Sequence, residues 1–105
     1  MRGIILKGFI NMSDFFKILI AKKLKQLTPE EVLYYGRQYG FNVSNQEAKN
    51  ITNYLKATSL DPFNDKDRKK AFHKLSQITS PETAQKAEKL LIKLVKSYGL
   101  ESLFD

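Results

Sequence analysis

Lys86, Lys89, Lys93 and Lys96 follow one another at spacings of three, four and three residues. On a helix that spacing sets four ammonium groups along one face. Lys66, Lys69 and Lys70 make a second such row twenty residues upstream. Rows of ammonium groups attract phosphates and carboxylates as point charges, without the planar recognition that arginine supplies. If the two helices are antiparallel neighbours, the rows merge into one basic surface for an anionic partner. Nucleic acid is the first candidate and an acidic protein the second. Arginine occurs only at positions 2, 37 and 68. Base edges are read chiefly by arginine, asparagine and glutamine, so nucleic-acid binding here is expected to be weakly specific. The same rows also read as solvated faces that keep the protein soluble.

Other chemistry is sparse. Tyr34 and Arg37 lie together on one side of a short helical segment, where a tyrosine ring and a guanidinium could stack on a base. The single histidine, His73, sits among Lys66, Lys69 and Lys70, a poor setting for a metal ligand. The chain has no cysteine, which removes disulfides, thiolate metal sites and cysteine nucleophiles together. There is no phosphate-binding glycine loop, nucleophile elbow or paired-histidine motif. The expectation is a protein without catalysis, metal or cofactor.

The elements that carry these residues are marked by their punctuation. Thr28-Pro29-Glu30-Glu31 and Ser80-Pro81-Glu82-Thr83 each place a hydroxyl N-cap before a proline at the first helical position. Tyr39-Gly40-Phe41 and Tyr98-Gly99-Leu100 each place glycine where a helix ends in a left-handed residue, followed by an apolar residue that can fold back. Ser44 with Glu47 forms another capping box, and Asn64 is a further N-cap after Asp61-Pro62. These signals predict five helices, over about 13–27, 29–39, 45–58, 65–78 and 81–98. No segment alternates with period two, so no sheet is expected. The fold class is all-α, a compact bundle.

Apolar spacing predicts the inward faces. The first helix turns Phe16, Leu19, Ile20, Leu24 and Leu27 inward. The second turns Val32, Tyr35, Gly36 and Tyr39 inward, with Gly36 suggesting a close helix–helix approach. The third presents Ala48, Ile51, Leu55 and Thr58. The fourth presents Arg68, Ala71, Phe72, Leu75 and Ile78. The fifth presents Ala84, Ala87, Leu91, Leu94, Val95 and Tyr98. Phe15 and Ile18 fall outside the first helix's stripe. They form a second apolar patch suited to a homodimer seam or a partner protein.

The chain has 105 residues and a net charge of +7, unevenly spread. Residues 28–60 balance three basic against three acidic side chains, whereas residues 64–98 carry nine basic and four acidic ones. The length suits one domain, expected over 12–100 with a frayed tail at 101–105. Residues 1–11 resemble neither a signal peptide nor a membrane span, because polar residues interrupt every apolar run. Met12 precedes a good helix start. Reverse translation of Lys7-Gly8-Phe9-Ile10-Asn11 permits a purine-rich ribosome-binding sequence before an ATG. Residues 1–11 are therefore expected to be a translated leader or a disordered arm, and the protein to be cytoplasmic.

Phe16 to Leu27, Thr28 to Gly40, Asp61-Pro62-Phe63-Asn64-Asp65 and Ile78-Thr79-Ser80-Pro81-Glu82-Thr83-Ala84 together resemble a small family of Firmicute proteins usually called YqfT-like, of unknown function. The resemblance spans about 12–100. It implies a cytoplasmic bacterial helical protein and supplies no activity, ligand or catalytic residue. The segment 28–56, two short capped helices around an extended link, is also similar in layout to SAP-type nucleic-acid-binding modules, though its balanced charge departs from theirs.

Overall fold

The computed structural model describes residues 12–104. The leader or arm expected at 1–11 lies outside the described residues. Five helices follow one another: α1 Met12–Gln26, α2 Pro29–Gln38, α3 Asn45–Ala57, α4 Asp65–Ile78 and α5 Pro81–Ser97. A 3-10 turn, Glu101–Leu103, closes the chain. Among the described residues there is no strand, so the all-α expectation holds.

Local hydrogen bonding explains these boundaries. At α2, Glu31 N–H donates to Thr28 Oγ1 at 3.1 Å and Thr28 N–H donates to Glu31 Oε1 at 3.1 Å. At α3, Glu47 N–H donates to Ser44 Oγ at 3.0 Å and Ser44 N–H donates to Glu47 Oε1 at 2.8 Å. Asn64 Oδ1 caps α4 by accepting from Asp67 N–H, and Ser80 Oγ caps α5 by accepting from Thr83 N–H. Both glycine stops are built alike. Gly40 has φ of 79° and Gly99 of 66°, the left-handed region that an L side chain enters only with strain. Phe41 N–H then reaches Gly36 O at 2.7 Å, and Leu100 N–H reaches Val95 O at 2.9 Å. These are Schellman closures, in which the residue after glycine folds back on the last turn.

The helices pack as a chain of neighbours: α2 on α3, α1 on α3, α3 on α4, and most extensively α4 on α5. The centre of the core is Phe63, Val95 and Leu103, with Ile20, Leu91, Leu100 and Phe104 packed around it. Phe63 arrives there through its loop. Asp61 Oδ1 accepts from Phe63 N–H at 2.9 Å, while Asp61 N–H donates to Asp67 Oδ2 at 3.1 Å. The Asp-Pro-Phe-Asn-Asp run is thus a turn that aims one phenylalanine inward. Arg68 turns inward as expected, donating to Pro62 O at 3.2 Å and lying 4.5 Å above the Phe104 ring.

Several expectations are corrected. The tail at 101–104 is not frayed: Leu103 is 5% exposed and sits in the core. Tyr35, Tyr39 and Tyr98 do not face inward but are 50%, 47% and 74% exposed. Tyr39 and Tyr98 are C-caps, where the chain already turns away, and Leu100 and Leu103 cover the end of α5 instead. In α2 the half-buried residues are Pro29, Glu31, Val32, Leu33 and Gly36. The close approach at Gly36 comes from the following loop rather than another helix: a Cβ there would lie 3.7 Å from Phe41 Cβ and 3.9 Å from Val43 Cγ2. Ile20 and Leu24 of α1 and Leu27 just after it are half-buried, whereas Phe16 and Leu19 are exposed, because only the later turns of α1 meet the bundle.

Candidate binding surface

The fourth and fifth helices bring the two lysine rows onto neighbouring elements. They do not treat the lysines alike. The groove between α4 and α5 is lined by Lys69 and His73 on one side and by Gln85 and Glu88 on the other. Lys69 is also paired with Asp65 at 3.1 Å, one helical turn back. Of the α4 row, Lys69 is therefore the member that meets carboxylates, Asp65 directly and Glu88 across the groove. Lys66 and Lys70 are exposed and make no ion pair among the described residues.

Lys86 is drawn out of the α5 row. Its Nζ donates to Gly40 O and lies 4.8 Å from the centre of the Phe41 ring. It ties α5 to the α2–α3 loop by a hydrogen bond and a cation–π contact. What remains of the row is Lys89, Lys93 and Lys96, which surround Ile92 in a shallow depression on the outer side of α5. All three lysines are exposed, Ile92 is 40% exposed, and no carboxylate among the described residues pairs with them. This is a cluster of three cations around an aliphatic side chain.

Tyr34 is 53% exposed and Arg37 is exposed beside it. The Tyr34 ring meets Tyr35 edge-on, with centroids 5.3 Å apart. Phe15 and Ile18 are 49% and 57% exposed, and Phe16 and Leu19 join them to make a larger apolar patch on the first turns of α1 than the spacing suggested. Among the described residues no three histidine or carboxylate side chains gather as metal ligands would. No helix among them is long and apolar enough to cross a membrane.

The family model described as "Protein of unknown function (DUF2624)" matches residues 12–95, nearly the whole of the helical array just described. The chain belongs to that family. It is 32% identical over 75 residues to a protein of Bacillus subtilis (strain 168) described as uncharacterized protein YqfT, an alignment covering 71% of this chain and 89% of the relative. The expected resemblance is therefore shown. No solved structure matches. The DUF2624 match takes in the capping boxes, the loop that seats Phe63 and the α5 lysines through Val95, and it ends before the closing turn that carries Leu103.

One feature of the site was hidden from sequence reasoning. The commitment of Lys86 to the α2–α3 loop joins residues 46 positions apart. The only local hint was the Phe41 ring next to a carbonyl freed by the helix stop.

Proposed function

We propose that the protein is a non-enzymatic interaction module that engages an anionic macromolecule, with nucleic acid as the first candidate, through the outer face of α5. The observation that carries this reading is the cluster of Lys89, Lys93 and Lys96 around Ile92, three exposed cations with no carboxylate partner among the described residues. Lys66 and Lys70 on α4 extend the positive field. Point charges of this kind bind phosphate backbones with little regard to sequence.

A salt titration of binding to a mixed-sequence oligonucleotide tests it. Binding is expected at ~50 mM salt, with log K falling linearly against log salt. Reversing Lys89, Lys93 and Lys96 to glutamate abolishes it, and single Lys→Ala changes each lower the slope by about 0.9 for duplex DNA. No binding at ~50 mM salt removes nucleic acid as the partner.

A second reading rests on a separate observation. Phe15, Phe16, Ile18 and Leu19 expose four large apolar side chains within five residues of α1. A patch of this kind suits a protein contact, including a second copy of the chain. Sedimentation of the wild type against Phe15→Glu/Ile18→Glu decides it: a dimer that the double variant dissociates supports the seam, and a monomer in both removes the homodimer.

A further inference from the structure

Behind the lysine surface, α1, α3, α4 and α5 leave an apolar cavity of about 250 Å³. Its walls are aliphatic and aromatic, with Ile51, Leu55, Ala71, Phe72, Leu75 and Leu91 prominent. It exceeds the engineered cavity of about 150 Å³ that stays dry and takes up benzene. An empty apolar space of this size forfeits packing contacts that a bound hydrocarbon would restore. Arg68 also lines it, but that guanidinium is already held by Pro62 O, by Asp65 at 3.1 Å and by the Phe104 ring. It is therefore part of the wall and offers a ligand no free charge to pair with.

A second charge lies at the rim. Tyr54 and Ile78 line the cavity and also line a polar groove between α3 and α4, together with Asn50, Asn53 and Lys74. Lys74 is exposed and makes no ion pair among the described residues. Asn50 accepts from Gln46 Nε2 at 3.0 Å through its carbonyl oxygen, which leaves its amide N–H groups as donors. One cation and two amides thus adjoin an otherwise apolar space.

We infer that this cavity binds a single medium-length acyl or alkyl chain carrying an anionic head, the chain among Ile51, Leu55, Leu75 and Leu91 and the head passing Tyr54 and Ile78 to Lys74, Asn50 and Asn53. The few placed polar groups on an apolar pocket are the general form of a small-ligand site. The site is independent of the α5 lysine cluster, and neither reading needs the other.

Calorimetric titration of the full chain tests it, with decanoate, decyl phosphate and decanol each kept below the concentration at which they aggregate. One or both anions saturate at one equivalent, and the tighter of the two identifies the head as carboxylate or phosphate. Decanol binds about tenfold more weakly than the tighter anion, the loss of one charge-assisted contact. Lys74→Ala brings the anions to the level of decanol, while Phe15→Glu/Ile18→Glu leaves them unchanged. Methyl NMR of the wild type shows decanoate shifting Ile51, Leu55, Leu75 and Leu91 rather than Ile18 and Leu19. Failure of both anions to saturate, decanol binding as tightly as the tighter anion, or shifts confined to α1 each overturn the inference.

Discussion

Glu31 shows how one side chain is given a structural task. Its carboxylate accepts from Thr28 N–H, and this bond, more than the Lys23 ammonium at 3.4 Å, holds its pKa below the ordinary carboxylate value. A carboxyl group depressed in the folded state contributes stability that is present above its unfolded pKa and lost as pH falls through the folded one. The unfolded chain binds the extra proton in that window, so stability rises with pH there. Glu31→Gln keeps an acceptor but cannot titrate. Thermal melts of the two proteins across the acid range are expected to converge as pH drops below the carboxylate range, with the wild type the more stable above it. Parallel curves at all pH values would show that the Thr28 bond contributes nothing specific. Asp65 in the first turn of α4 bridges Arg68 and Lys69 at 3.1 Å each.

At the scale of the helix, the ends were legible and some of the faces were not. Caps and glycine stops act within four or five residues, so the sequence positions every helix boundary to within a residue or so of where it lies. The inward face depends on which neighbour is present, and that is a tertiary property. Tyr35 has the right spacing for burial, but α2 packs chiefly on α3 and leaves the ring half-exposed. Phe16 and Leu19 repeat in phase with Leu24, yet the first turns of α1 extend past the bundle. The lysine rows were placed on the right helices, and the loss of Lys86 to the α2–α3 loop was not visible. The Gly36 contact carries a consequence for the whole helix. A methyl group there meets Phe41 and Val43 at ordinary van der Waals distance, and it also satisfies the apolar contact that a Schellman closure favours. Gly36→Ala is therefore expected to stabilise the protein by about 0.5–1 kcal/mol, the propensity difference in a helix interior. Urea denaturation measures it. A Gly36→Ala variant no more stable than the wild type would overturn this expectation.

At the scale of the molecule, the end of the chain completes the core. The expected frayed tail missed this because Glu101 to Phe104 has no periodicity long enough to register as an element. Its apolar residues find their partners only after the glycine stop at Gly99 reverses the chain. Leu103 then packs on Phe63 and Val95, contributed by the loop before α4 and by α5, with Ile20 of α1 alongside. Phe104 meets Phe63 at a tilt of 50° with centroids 5.8 Å apart and carries Arg68 on its face. One turn thus closes contacts with three parts of the fold that are distant in sequence. Leu103→Ala is expected to cost about 2–5 kcal/mol, the range for removing a buried leucine side chain. In a domain of this size that lowers Tm by about 8 °C or more, at roughly 4–8 °C per kcal/mol. Phe104→Leu separates the aromatic contribution, since it keeps an apolar filler but removes the ring beneath Arg68, and it is expected to cost about 1–2 kcal/mol less than Leu103→Ala. Thermal unfolding followed by circular dichroism checks both. If Leu103→Ala melts within ~1 °C of the wild type, the closing turn is an ornament on a core that α4 and α5 complete without it. If the large loss appears, the four residues after Gly99 and Leu100 belong to the folding unit as fully as any helix.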